Sequence, residues 1–268
     1  MKWVKKILEI VLCGVLILPL LYFGLRVLVC DKFTINGESM SPLYESGDVI
    51  WVNKILAGPR IYRSFDFSSP DLSSFRLPGV RKLKVGDVVV FNNPFGRDRS
   101  KIEFRINYVY AKRILGCPGD TIGIEDAFYY NLGYKGQFGD RYSQELLSNT
   151  EESDLGYDIE AFPRLDELGW TIYDMGPLIV PRKGMKVGLD HINTRIYALA
   201  IEYETGTKPI WKDGRCLING ETRSIYEFTK DYYYLVGDNV INSLDSRCFG
   251  FVPEEYIVGV AVAKSRKK

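Results

Sequence analysis

Residues 7–30 read ILEIVLCGVLILPLLYFGLRVLVC, interrupted only by Glu9 and Arg26 and free of charge from Ile10 to Leu25. About 20 consecutive apolar residues cross the hydrocarbon of a bilayer, so the segment reads as one transmembrane helix with its end charges snorkelling to the interface. Pro19 is tolerated in such a helix. Lys2, Lys5 and Lys6 precede the run, and basic residues favour the cytoplasmic side, so residues 1–6 are expected in the cytoplasm and 31–268 on the far side. A cleavable secretory signal is the competing reading. It needs a small-X-small site after the run, and the chain offers the bulky Leu28 and Val29 before Cys30. An uncleaved anchor is expected.

From Phe33 onward the chain changes character. Asp48–Val52, Asp87–Phe91, Tyr108–Leu115 and Tyr232–Val236 are rich in β-branched and aromatic residues and read as strands. Gly47-Asp48, Gly86-Asp87, Gly119-Asp120 and Gly237-Asp238 punctuate them as turns. Asn219-Gly220 signals a tight hairpin. Glu254-Glu255 after Pro253 suggests one short helical turn. No long amphipathic helix is evident beyond the first segment. The expected fold is mainly β: a barrel-like antiparallel domain with an irregular or β insertion at about 125–215, preceded by the single N-terminal transmembrane helix. Ala57–Lys84, with three prolines (Pro59, Pro70 and Pro78), reads as an irregular loop. Glu125–Glu167 reads as a surface excursion returning at Leu178–Val187. The end Lys264–Lys268 reads as a solvated basic tail.

Composition narrows the function. A net charge of +1 argues against nucleic acid, whose phosphates demand a basic excess. The single histidine, His191, would have to serve any Ser-His-Asp triad or histidine-bound zinc, and reads better as a solvated or core residue. The five cysteines (Cys13, Cys30, Cys117, Cys216 and Cys248) form no C-x-x-C pair, which disfavours zinc. They read as free, packed thiols, with a Cys117–Cys216 bridge left open.

The Ser39-Met40 pair in NGESMSPL lies just past the apolar segment. A serine is a weak nucleophile until a neighbour takes its proton. With one histidine in the chain, that neighbour must be a lysine or a carboxylate. Lys112, in YVYAKRILGCPGD, lies on an apolar strand where lost hydration would lower its pKa. Arg113 would point to the opposite face, toward solvent or an acidic partner. Taken alone, such a pair is ordinarily surface charge. The loop GDNVINSLDSRCFGFVP adds Asp245 and Arg247, which could pair, and Ser243, which could hydrogen-bond a lysine amine.

ESMSPL, GDVIWVNK, GDVVVF, AKRILGCPGD and GDNVINSLDSRCFGFVP occur in the order seen in bacterial type I signal peptidases, membrane-anchored Ser/Lys proteases. The chain resembles that family from the anchor to Pro253, and the long stretch before Asn219-Gly220 is similar to its longer members. The resemblance implies Ser39 as nucleophile, Lys112 as general base, Ser243 as support for the lysine, and Asp245–Arg247 as a bracing ion pair. The Ser39 backbone N–H would be the oxyanion donor. Some members add a hydroxyl two positions earlier, where this chain has Gly37. Met40 and Ile35 would contact substrate, an ordinary core role being the alternative for Met40. Three departures stand out: Pro42-Leu43-Tyr44 after the nucleophile, Val240-Ile241 where a polar or charged pair is usual, and Phe249 in place of tryptophan.

The activity so implied is removal of signal peptides from exported preproteins at the outer face of the bacterial cytoplasmic membrane, after small residues, with no metal or organic cofactor. Its partners are preprotein signal peptides and the lipid bilayer. One rival is a catalytically degenerate, membrane-anchored binding module of the same fold. Another is a self-cleaving Ser/Lys regulator, which would require a nucleic-acid-binding domain in place of the anchor.

Overall fold

The computed structural model describes residues 2–64, 66, 69–70, 72–95 and 100–265; the side chains of Lys2, Glu9 and Cys13, and the tail residues 266–268, are among those outside the described set. Helix α1 (Lys2–Leu28) continues through Pro19. Its apolar side chains Val15–Leu18 and Leu20–Phe23 point outward and are exposed. Among the described residues no helix is long and apolar enough to cross a membrane.

Strand β1 (Cys30–Thr34) follows and pairs antiparallel with β2 (Val49–Asn53). The end of the helix is tied to this hairpin. The Lys54 N–H donates to the Val29 carbonyl at 2.8 Å, and Lys54 Nζ to the Arg26 carbonyl at 2.7 Å. These two strands begin a seven-stranded sheet that continues through Ile257–Ser265, Val88–Asn92, Val109–Gly116, Tyr232–Val236 and Val252–Pro253. It is antiparallel throughout. The sheet is a curled half-barrel, with Cys30–Thr34 and Val252–Pro253 as its edges. The four expected strands fall within one residue of those observed, because Val/Ile/Tyr runs bounded by Gly-Asp turns are local strand signals; Val88–Asn92 and Tyr232–Val236 are buried throughout, and Val49–Asn53 alternates. The Asn219-Gly220 hairpin and the turn at Glu254–Tyr256 also form.

Gly237 departs from the other turn glycines. Gly47, Gly86 and Gly119 take positive φ, whereas at Gly237 the constraint is space: a Cβ would lie 2.1 Å from Ser243 Oγ and 2.6 Å from the Ser39 carbonyl oxygen.

Two expected loops carry structure. Within Ala57–Lys84, Arg60–Tyr62 pairs with Ser74–Arg76. Glu125–Glu167 is more than a surface excursion. It contributes Phe128–Asn131 to a three-stranded sheet with Thr121–Glu125 and Met175–Ile179, and helix α2 (Arg141–Ser148). Ala127, Tyr129, Phe138, Leu147, Ala161, Phe162 and Leu165 bury their side chains in the same core as Tyr234 and Val236 of the main sheet. Lys264 is not wholly solvated, since its Nζ donates to the Leu43 carbonyl at 2.6 Å.

Candidate active site

The turn after β1 delivers Ser39, partly exposed, above a small core of Ile35, Met40, Tyr44, Ile50, Val88 and Val90. Met40, 1% exposed, seats the turn on that core. The Val109–Gly116 strand delivers Lys112, paired in register with Val89. Although 73 residues separate them in sequence, Lys112 Nζ and Ser39 Oγ are hydrogen-bonded to one another. Lys112 is itself 1% exposed. Burial, the largest influence, disfavours its charged form. Asp245 and Asp238 oppose that shift, Arg247 adds to it, and the net result is a pKa lowered to about 8.

Arg113 emerges on the other face and finds an acidic partner. Its guanidinium grips both carboxylate oxygens of Asp238 at 2.6 Å. The Asn239 N–H then donates to the Ser39 carbonyl at 3.2 Å, and the Asn239 side-chain amide to the Glu38 carbonyl at 3.3 Å. The loop thereby holds the nucleophile's turn in place. Sequence reading missed these ties. Asp238 was legible only as a turn residue, and its pairing required knowing that its strand lies beside Arg113.

The Asp245–Arg247 pair forms as expected and is wholly buried, with Nε–Oδ1 at 2.9 Å. Burial pushes the Asp245 carboxyl up. The Arg247 guanidinium, the Ser243 hydroxyl and the Gly237 N–H outweigh it and hold the group below its usual range. The expected Ser243–Lys112 hydrogen bond is not made. The Ser243 hydroxyl donates to Asp245 Oδ2 at 2.6 Å, a charge-assisted bond that turns its proton toward the carboxylate.

Gly37 brings no hydroxyl, and its N–H donates to Ser46 Oγ at 3.4 Å. The Ser39 N–H has no partner among the described residues. Beside Ser39 opens a cavity of about 380 Å³ lined by Ile35, Met40, Ile50 and Val90 on one side and Tyr108–Ala111 on the other. Val88–Asn92 pairs with Val109 to Arg113, whereas on the other side Tyr234 to Val236 reach only Arg113 to Gly116. Among the described residues, the second edge of Val109–Lys112 is therefore open.

The remaining departures fit their surroundings. Phe249 stacks on Phe95 with ring centroids 4.8 Å apart, and Tyr44 is buried under the nucleophile's turn. Cys30, Cys117, Cys216 and Cys248 are free thiols, and burial pushes Cys117 up to about 12. His191 lies at the surface beside Glu167, outside this hydrogen-bond set.

The sequence model of one family, described as signal peptidase, peptidase S26, matches residues 4–265. A signal peptidase I of Pseudomonas aeruginosa is 35% identical over 252 residues, covering 89% of this chain and 66% of its own. A signal peptidase I of Buchnera aphidicola is 27% identical over 250 residues, covering 91% and 72%. One of Aquifex aeolicus is 27% identical over 269 residues, covering 96% and 82%.

Proposed function

The chain belongs to the signal peptidase family, peptidase S26, and from that premise we propose that it is a serine endopeptidase that removes N-terminal signal peptides from preproteins with a Ser39/Lys112 dyad. One observation carries the assignment of roles. The amine hydrogen-bonded to Ser39 Oγ is buried, with its pKa lowered to about 8.

In this reading neutral Lys112 takes the Ser39 proton as Oγ attacks the scissile carbonyl, and the Ser39 N–H meets the oxygen as it gains charge. Protonated Lys112 then gives its proton to the leaving amine. Water, deprotonated in turn by Lys112, hydrolyses the acyl-enzyme. Asp245 and Arg247 brace the loop beside the base, and Ser243 supports Lys112 through Asp245. The substrate lies extended along the open edge of Val109–Lys112, a strand-addition mode in which backbone hydrogen bonds give affinity. Its small side chains enter the cavity between Ile35, Met40 and Val90, whose apolar walls reject charge.

Residues 7–30 act as the bilayer anchor, with 1–6 in the cytoplasm and 31–268 on the exported side of the bacterial cytoplasmic membrane. The outward apolar surface of α1 supports this reading, and the ties from Lys54 to Val29 and Arg26 would fix the height of Ser39 above the bilayer. Val240-Ile241, where a polar or charged pair is usual, is the departure that would favour the degenerate-module rival. Val240 is 2% exposed and part of the core, so the pair is explained by packing.

Two results are expected. A preprotein with Ala-X-Ala before its cut site is cleaved by the full chain and left intact by Ser39→Ala; equal cleavage by both would refute the nucleophile. Against pH, kcat/KM rises with unit slope to an inflection near 8, because only about a tenth of a lysine with that pKa is neutral at pH 7. A profile flat from pH 6 to 9 would refute Lys112 as the base.

A further inference from the structure

The loop that holds the nucleophile's turn is itself held from behind by the 125–215 segment. Helix α2 is capped by Asp140, whose side chain accepts from the Ser143 N–H at 2.9 Å. The Asp140 N–H donates to the Asp238 carbonyl at 3.1 Å. Ser143 Oγ, on a side chain 7% exposed, lies 3.0 Å from the Asp238 carbonyl and 3.0 Å from that of Asp140, and accepts the Val240 N–H at 3.4 Å. Further along, the Tyr157 hydroxyl donates to the Ile241 carbonyl at 3.0 Å. Val240 and Leu147 are buried in one core, and Ile241 packs against it. Asp238 to Ile241 are thus gripped on one side by the insertion. Asn239, in the middle, reaches Ser39 and Glu38 on the other.

Resting on the peptidase reading above, we propose that Ser143 is a positioning residue. Through Asp238 and Val240 it fixes the Asn239 N–H that holds the Ser39 carbonyl, and so sets the alignment of Ser39 Oγ on Lys112. A hydroxyl suits this place because it donates to one carbonyl while accepting a buried N–H that lies within its reach. Val240 and Ile241 are apolar because they form the face on which α2 docks. Ser143 touches the Asp238 carbonyl, whereas the Asp238 carboxylate stays held by Arg113 and the burial of Lys112 and the Asp245–Arg247 pair are left in place, so the effect falls on the rate more than on the pKa of the base. A misplacement of order 1 Å between reacting groups costs up to about 10²-fold in rate.

The test compares full-length wild type, Ser143→Ala and Ser143→Thr on an Ala-X-Ala preprotein, well below the melting temperature and normalised to folded protein. Ser143→Ala is expected to lower kcat about tenfold, to change KM less than about threefold, and to leave the pH inflection near 8. Ser143→Thr, which keeps the hydroxyl, should recover most of the rate. Unchanged kcat in Ser143→Ala, whatever its melting temperature, overturns the proposal, as does a threonine variant no faster than alanine. Should Ser143→Ala fail to fold, Tyr157→Phe removes only the bond to Ile241; a loss of about twofold or more in kcat supports the clamp, and no loss overturns it. A wild type that cleaves nothing overturns the peptidase reading and this one together, whereas an active wild type with an equally active Ser143→Ala overturns this one alone.

Discussion

Replacing Lys112 by methionine is expected to lower kcat/KM by about 10⁴ while making the folded protein more stable at neutral pH. The first effect follows from removing the general base, since Ser39 would then have to attack with its proton in place. The second follows from burial. In the native state the amine's pKa falls from 10.5 to about 8, so charging it inside the protein costs about 3 kcal/mol. The folded-state value lies below the unfolded one. Below pH 8 both states are protonated and the native state bears the whole penalty. Between about 8 and 10.5 the penalty fades, and above 10.5 it is gone. Methionine fills similar space without charge and forfeits one hydrogen bond to Ser39, about 1 kcal/mol. Denaturant melts at pH 7 and pH 10 should show a stabilised variant at the lower pH and a smaller difference at the higher. Retained cleavage would remove Lys112 from the reaction. A variant destabilised at pH 7 would mean that the amine holds the fold rather than serving the chemistry.

That opposition between activity and stability was partly legible in the sequence. Lys112 stands amid Tyr, Val, Ala, Ile and Leu, which foretold an apolar setting. The main strands were legible for the same reason: β-branched runs between Gly-Asp turns are local signals. The 125–215 insertion was legible as an insertion but not in its packing. Tyr129, Leu147 and Phe162 share a core with Tyr234 and Val236, far away in sequence, and the strand and helix that carry Tyr129 and Leu147 span only four and eight residues, too short to show a period. The partner of Ser243 in the structure is Asp245, two residues away, a contact set by the fold of the loop and not by any local sequence pattern. The Asp238–Arg113 clamp depended on strand order, which no local pattern carries.

Asp245→Asn is expected to cost several kcal/mol of stability and to move the pH limb of kcat/KM toward acid. The carboxylate, 0% exposed, receives Arg247 Nε at 2.9 Å and Nη2 at 3.0 Å, the Arg247 N–H at 3.1 Å, the Gly237 N–H at 2.9 Å and the Ser243 hydroxyl at 2.6 Å. An amide returns only part of this set and leaves the 2%-exposed Arg247 guanidinium buried without a counter-charge. Removing one member of a buried pair costs about 3–5 kcal/mol, because the desolvation of the survivor is no longer offset. The native carboxyl sits below its ordinary value. Its contribution is therefore complete above the unfolded carboxylate pKa and is lost as pH falls through the lower native one, so the wild type should lose this share of its stability only in acid. The loop fixes the sign of the catalytic effect as well. Asp245 favours charge on Lys112 and Arg247 disfavours it. Neutralising the aspartate leaves the arginine opposed only by the smaller influence of Asp238, so Lys112 gives up its proton more readily and the inflection falls below 8 in whatever fraction remains folded. Replacing Arg247 by methionine as well removes the stranded charge, and the double variant should be more stable than Asp245→Asn alone. An inflection that stays at the wild-type pH in Asp245→Asn would mean that burial alone sets the basicity of Lys112, with the ion pair serving only to hold the loop.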